Sequence, residues 1–571
     1  MSNQITGAEA LIKALIAEGA DTIFGYPGGA IIPVFDCLYD YREELRHILV
    51  RHEQGATHAA QGYARVSGKT GVVIVTSGPG ATNVITGISD AMMDSTPLVV
   101  ITGQISGAYL GTDAFQETDV IGITQPVTKW SYQIRNAEDI PWAVARAFYI
   151  ASTGRPGPVV LDFAKNAQVG LMDWNYKKCK YIRSYIPRPE INKDNVATVA
   201  QLINSAKRPM IISGHGVMIS GAEKELIALA EKADIPVVNT LLGLSTIPTN
   251  HPLYKGLLGM HGNIGPNYHT LDCDLLIAIG MRFDDRVTGD AKKYAKQAKI
   301  VHIDIDESEF DKNVKTFASI HGDARDVIKL LTPLVNKNNH SDWIASFTPC
   351  EEAELEKVIN KEVFPTSGPI NMGEVAYKVS QATNNDAILV TDVGQNQMLS
   401  SRYFKYNQPK SIVTSGGLGT MGFGLPAAIG AKIGAPSRTV CFFTGDGGIQ
   451  MTVEELGVIL QYGIDIKIII LNNNFLGMVR QWQQLFFNER YSETPMTNPN
   501  FVMLANAYGI AAENVETREE IDDAINRMIK YKGSYILNVN IDTYGMVFPM
   551  IPAGGEMTNI LLTADEKYKH D

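Results

Sequence analysis

Cysteine is scarce. Five thiols are spread over 571 residues, at Cys37, Cys179, Cys273, Cys350 and Cys441, an odd number with no CxxC pair. That spacing argues against a disulfide framework and a zinc ribbon. Positive charge is in deficit, with 50 Lys and Arg against 61 Asp and Glu and a formal net charge of −11. A nucleic-acid-binding face needs a basic excess, so no nucleic-acid partner is expected. Long apolar runs are missing too. Runs such as 468–471 are strand-sized, far short of the ~18 residues that cross a bilayer. The first 25 residues read as an amphipathic helix entering a strand, with no signal-peptide core and no Arg-rich transit segment. A cytoplasmic protein without membrane association is the expectation.

What is plentiful is glycine, 51 residues, and a backbone rich in glycine can approach a bound phosphate closely. Short β-rich runs alternate with helical stretches. Strands are expected at 22–24, 47–50, 72–76, 98–101, 159–162, 210–213, 236–239, 275–279, 300–305, 387–391, 440–444, 466–471 and 534–539. Most lack period-two alternation, as strands covered on both faces do. Helices such as 196–206 and 452–462 lie between them. The pattern predicts doubly wound, parallel α/β domains. Two stretches break it, 177–194 and 336–370, rich in charge, Pro, Asn and Gly. Taken as linkers, they divide the chain into units at 1–180, 190–335 and 365–550, with a tail at 551–571.

In open α/β sheets, ligands bind beyond the carboxyl ends of the strands. After the run 440–444 comes Gly445-Asp446-Gly447-Gly448, then a helix, the run 466–471 and Asn472-Asn473-Asn474. This βαβ unit places Asp446 and Asn473 at one sheet edge. Their oxygens suit Mg²⁺, which shares its shell with phosphate and water. The glycines and the helix start suit a diphosphate. Either turn alone is most often only a turn; the pair at this spacing favours a site.

Gly-Asp-Gly followed at this distance by Asn-Asn resembles the signature of thiamine-diphosphate enzymes. The resemblance implies that Asp446, Asn473 and the carbonyl of Phe475 hold Mg²⁺. It implies cofactor contacts from Gln395, Asn396, Gly419, Thr420, Met421, Gly447, Gly448, Leu476, Gly477 and Met478, with Met421 under the thiazolium. Asn396, Gly448 and Phe475 depart from residues common in the family, without removing a required chemical group.

Glu53 follows a strand and opens a helix, where a Glu ordinarily serves the helix dipole. Beside a thiamine cofactor it gains another role. The resemblance implies that it shares a proton with the aminopyrimidine and so promotes the ylid. In this family the Glu and the diphosphate site come from different subunits, which implies a homodimer or a dimer of dimers. The resemblance also implies that the N–H of Gly29, in the strand-to-helix turn Tyr26-Pro27-Gly28-Gly29-Ala30, would face a developing oxyanion. Ser77-Gly78-Pro79-Gly80 is a further glycine loop, and Gln116, Phe115 and Lys165 complete the implied reaction and substrate positions.

The middle unit carries Gly214-His215-Gly216, Gly259-Met260-His261-Gly262 and Gly280-Met281-Arg282-Phe283-Asp284-Asp285-Arg286. Together with the other motifs these resemble the large catalytic subunits of acetohydroxyacid synthase, over about residues 7–560. The fold implied is three doubly wound domains of the pyruvate oxidase/decarboxylase type. The resemblance also implies FAD without net redox chemistry. Its contacts would come from Arg155, Gly214, His215, Gly216, Thr240, Leu241, Leu258, Gly259, Met260, His261, Gly280 to Asp284, Asp304, Ile305, Asp323 and Ala324. Arg286 would meet a 2-oxo-acid carboxylate, unless it only pairs with Asp284 or Asp285. Trp482 would select the larger acceptor, and residues 549–555 resemble an active-site lid. A separate small regulatory subunit is common in the family.

The activity implied is decarboxylation of pyruvate and ligation of the two-carbon unit to a second 2-oxo acid, in branched-chain amino-acid synthesis. Two other readings stand beside it. One is another thiamine-diphosphate enzyme, such as catabolic acetolactate synthase, pyruvate oxidase or a 2-oxo-acid decarboxylase. The other is a catalytically silent assembly subunit, against which the intact Glu53, Asp446 and Asn473 speak.

Overall fold

The computed structural model describes residues 4–565. Three parallel six-stranded sheets follow one another along the chain, each covered by helices on both faces. The first has its strands in the order Arg46–Leu49, Thr22–Tyr26, Gly71–Val75, Leu98–Gln104, Pro158–Ala164, Trp130–Ile134. The second is centred on Pro209–Ser213 and Leu275–Ile279, the third on Val440–Gly445 and Lys467–Asn472. Gln4–Thr6 pairs antiparallel with Leu171–Asp173 outside them. The central strands are almost wholly buried and mostly apolar, with polar residues such as Ser213, Thr444 and Lys467 near their ends, as double cover requires. Among the described residues no helix is long and apolar enough to cross a membrane.

All thirteen expected strands form, each within a few residues of the expected range. The strands missing from that set are instructive. Five of them, Trp130–Ile134, Tyr254–Leu257, Ala318–His321, Ile412–Val413 and Ala511–Val515, are sheet edges. Four of these carry polar residues, as less fully covered edges tolerate, and so lack the apolar run that marks a centre strand, while Ile412–Val413 is apolar but only two residues long. The expected helix 452–462 splits into a 3₁₀ turn, Val453–Glu455, and the helix Leu456–Tyr462.

The stretch 336–370 is more than a linker. It forms the helices Ser341–Ala345, Thr348–Glu354 and Asn360–Glu362, with a π-helical segment, Leu355–Ile359, before the last. Its Trp343 and Phe347 belong to one buried cluster with Cys273 and Leu276 of the middle unit. Acidic and Asn-rich flanks conceal this short apolar stripe in the sequence.

The first and third units share one continuous core. The contact is the crossing of two helices, Glu53–Ser67 and Gly424–Gly434, both rich in Ala and Gly. A Cβ at Gly430 would lie 1.8 Å from the carbonyl oxygen of Ala59, so the two backbones touch. His52 caps the first helix by accepting the Gln54 N–H on its ring Nδ1, and Gly68 ends it in the left-handed region. This packing fixes Glu53, half-buried, at the helix start.

Candidate active site

The strands Val440–Gly445 and Lys467–Asn472 run side by side with Gly445 opposite Leu471. Asp446 and Asn473 therefore leave adjacent strand ends. Between them lies a narrow cleft of about 60 Å³. Gln395, Asn396, Met421, Asp446, Gly447, Gly448, Asn473, Phe475, Leu476, Gly477 and Met478 all line it. Asp446 is buried, and burial pushes its carboxyl up while the Asn498 amide, donating at 2.5 Å, opposes that. Asn473 Oδ1 accepts the Phe475 N–H at 3.1 Å. Asn396 Oδ1 is buried with no hydrogen-bond partner.

These donors fit a magnesium-bound diphosphate. Among the described residues no group of three His, Cys, Asp or Glu could hold a metal. The cleft offers one carboxylate, one amide and a main-chain carbonyl, a sparse oxygen set that leaves room for phosphate oxygens. Thr420 and Gly419 differ from the rest of the expected set. Thr420 donates its hydroxyl to the buried Asp90 at 3.0 Å and lines neither cavity, while Gly419 lines the second one.

That second cavity measures about 630 Å³. It lies beyond the carboxyl ends of the middle sheet, and its walls follow the strands at Ser213, Asn239, Leu257, Ile279 and Asp304. Arg155, His215, Gly216, Thr240, Leu241, Leu258, Met260, His261, Gly280, Met281, Arg282, Phe283, Asp284, Asp304, Ile305, Asp323 and Ala324 line it. Gly214 and Gly259 do not line it but pack against residues that do, since a Cβ at Gly214 would lie 2.2 Å from the Gly280 carbonyl oxygen and one at Gly259 2.6 Å from that of Arg286. The space suits a dinucleotide-sized ligand. Its floor also suits one, because a Cβ at Gly216 would lie 2.6 Å from Gly280 Cα, which keeps the turn flat. Burial holds His215 and His261 neutral, each pushed down to about 4, and pushes Asp304 up to about 7.

Two of the carboxylates have local work. Asp284 accepts the N–H groups of Arg286 and Val287, and Asp323 those of Arg325 and Asp326, each capping a helix. Arg286 lines the cavity with a largely exposed guanidinium, 3.5 Å from Asp285. Trp482 lines it as well. Val393 and Met478 belong to both the cleft and the cavity, so the two spaces are neighbours with shared walls.

The N-terminal residues form a third group. Asn83 donates to Glu53 at 2.9 Å. A Cβ at Gly80 would lie 3.5 Å from Glu53 Oε1, one at Gly78 3.0 Å from the Gln116 carbonyl oxygen, and one at Gly28 2.5 Å from Thr76. Glu53, the 26–30 turn, the 77–83 loop and Gln116 thus share one sheet edge. Phe115 is 87% exposed, and Lys165 opens the short helix Lys165–Val169 at the end of the neighbouring strand. Glu53, Gly29, Gln116, Lys165 and Phe115 line neither cavity of this chain.

Sequence reasoning missed Asp94. This buried carboxylate accepts Gly416 and Gly417 N–H at 2.9 and 2.7 Å and pairs with Arg65 at 2.8 Å. It ties the first unit to the 415–420 loop. No local motif marks it, because Gly416 and Gly417 lie more than three hundred residues away.

Comparison with known proteins agrees with this geometry. Residues 5–123 match the thiamine pyrophosphate enzyme N-terminal TPP binding domain, 196–331 the central domain and 392–539 the C-terminal TPP binding domain. The acetolactate synthase large subunit of Lactococcus lactis is 43% identical over 554 residues, 96% of this chain and 95% of that one. The acetolactate synthase isozyme 2 large subunit of Escherichia coli is 41% identical over 567 residues, 98% and 99% of the two chains. The chain belongs to the thiamine pyrophosphate enzymes, among the acetolactate synthase large subunits.

Proposed function

We propose that the chain catalyses formation of acetohydroxy acids. Pyruvate loses CO₂ and its two-carbon unit joins the ketone of a second 2-oxo acid. With pyruvate the product is 2-acetolactate, and with 2-oxobutanoate it is 2-aceto-2-hydroxybutanoate, as branched-chain amino-acid synthesis requires. Thiamine diphosphate, when bound, supplies the carbon nucleophile and the electron sink. Asp446, Asn473 and the Phe475 carbonyl hold Mg²⁺, and the Asn396 amide meets the diphosphate. Glu53 holds a proton at its carboxylate, and Asn83 fixes that carboxylate's orientation. Arg286 receives a 2-oxo-acid carboxylate, and Trp482 shapes the space for the acceptor. The large cavity takes FAD without a net redox role.

The smallest active unit in this reading is a homodimer. Glu53 lies half-buried at a helix start and lines neither cavity of its own chain, so in this reading a second copy brings it to the cleft. The domains at 1–180, 190–335 and 365–550 supply the Glu, the flavin site and the diphosphate site, and 551–571 forms a lid and tail, of which 566–571 lies outside the described residues. The reading includes a cytoplasmic enzyme and a small regulatory subunit, the latter in keeping with relatives named large subunits.

The observation that carries the reading is the shared wall of the two spaces, Val393 and Met478, with Arg286 and Trp482 in the larger one. It favours a flavin-containing synthase over flavin-free catabolic relatives. The test is product analysis with pyruvate, with and without 2-oxobutanoate, in the presence of thiamine diphosphate, Mg²⁺ and FAD. Acetohydroxy acids from both mixtures are expected. Their absence overturns the reading, and purified protein that binds no flavin favours the catabolic enzyme.

A further inference from the structure

Arg402 is the penultimate residue of the helix Gln395–Tyr403, whose first turn lines the diphosphate cleft. Its side chain is buried. One guanidinium nitrogen donates to the carbonyls of His261 and Gly262 at 3.0 and 2.8 Å, and the other to the carboxylate of Glu354. Glu354 ends the helix Thr348–Glu354 in the stretch between the middle and third units. It is equally buried and also accepts from Asn263 Nδ2 at 2.7 Å and Ile264 N at 2.6 Å. The pair therefore grips residues 261–264 through four hydrogen bonds.

The other side of the same loop carries the site. Met260 N–H donates to the Arg286 carbonyl at 2.7 Å, and Met260 accepts the Ile551 N–H at 2.8 Å. The His261 ring lies 3.4 Å from the Pro549 carbonyl. Neither Glu354 nor Arg402 lines a cavity. Desolvation offsets most of the attraction in a buried ion pair, and well-packed apolar residues hold a core together as well or better. What apolar residues cannot do is fix two carbonyls and two N–H donors of a loop at set positions.

We propose that Glu354 and Arg402 are a positioning pair that sets the 259–264 loop, and through it the seat of Arg286 and of the 549–551 segment. The role given to Arg286 rests on the function proposed above; the holding of the loop does not.

The test uses the full-length chain with its cofactors and three variants, Arg402→Lys, Glu354→Gln and the apolar double variant Arg402→Met with Glu354→Leu. Hydrogen exchange is read at 259–264 and 548–561, with the strand Pro209–Ser213 as reference. In every folded variant, exchange at both segments should rise about tenfold or more while the reference strand is unchanged. KM for the 2-oxo acid should rise about tenfold, with kcat less affected. Arg402→Lys keeps the charge but not the two-pronged donor, so it should move in the same direction. Unchanged exchange in a folded variant overturns the proposal. So does a wild-type-like Arg402→Lys when the double variant fails to fold, since the pair is then only an ion pair of the core. If the unmodified protein makes no acetohydroxy acid, the proposed function fails while the exchange result still decides the loop.

Discussion

The buried carboxylate of Glu455 accepts the backbone N–H groups of Arg51 and His52, both at 3.0 Å, immediately before Glu53. A residue of the third unit thereby fixes the start of the helix that carries the N-terminal acid. Burial pushes this carboxyl up to about 7, although both N–H groups favour its charged form. A carboxyl whose pKa is raised by folding binds its proton more tightly in the native state. Its contribution to stability is complete below the ordinary carboxyl range and is lost as the pH climbs through 7.

Glu455→Gln removes that dependence. Thermal unfolding at about pH 4 and about pH 8 should show the unmodified chain losing more stability across the window than the variant. Equal losses would mean that Glu455 does not titrate as its burial requires.

Glu53→Gln keeps a side-chain oxygen for the Asn83 amide, 2.9 Å away in the native chain. The fold and cofactor retention should therefore be unchanged. Turnover should fall by about 10²-fold or more, as loss of a proton-handling carboxylate does. Steady-state rates beside cofactor titration check this, and near-normal turnover removes Glu53 from the chemistry.

At Gly477 an added Cβ would sit 2.2 Å from Gln395 Oε1 and 2.7 Å from Asn473 Nδ2, inside the wall of the narrow cleft. Gly477→Ala should displace both amides and weaken thiamine diphosphate retention by about 10- to 100-fold, the range for a disturbed metal site. Titration calorimetry with thiamine diphosphate and Mg²⁺ measures it. Unaltered affinity would place the diphosphate elsewhere.

Trp482 lines the large cavity beside Phe486, with ring centroids 5.3 Å apart. Trp482→Leu opens the acceptor end. The ratio of 2-oxobutanoate-derived to pyruvate-derived product in a mixture should fall by about tenfold, within the range that small changes in an apolar pocket command. An unchanged ratio takes the selector role from this residue.

Much of the cleft was legible because its residues follow strand ends in short motifs. Gly445-Asp446-Gly447 and Asn472-Asn473 need only the βαβ rule to become neighbours. The edge strands were not legible, since Ala511–Val515 carries Glu and Asn where a centre strand carries Ile. Nor were the long-range pairs. Arg65 with Asp94 is set by the packing of two helices within the first unit and Arg402 with Glu354 by the packing of elements 48 residues apart, and nothing within ten residues of any of the four announces its partner. Asp284 and Asp323 show the converse. Each stands in a motif that the resemblance assigns to a cofactor, and each spends its carboxylate capping a helix.

The separation of Glu53 from the cleft makes the two-copy site the central claim. Its most direct measurement mixes Glu53→Gln with Asp446→Asn chains, each inactive alone, under conditions that exchange subunits. Each mixed dimer then holds one site with both native residues, and random pairing predicts recovery of about one quarter of native acetohydroxy-acid formation. A mixture that stays silent, while the unmodified chain treated identically remains active, would contradict a site built from two copies.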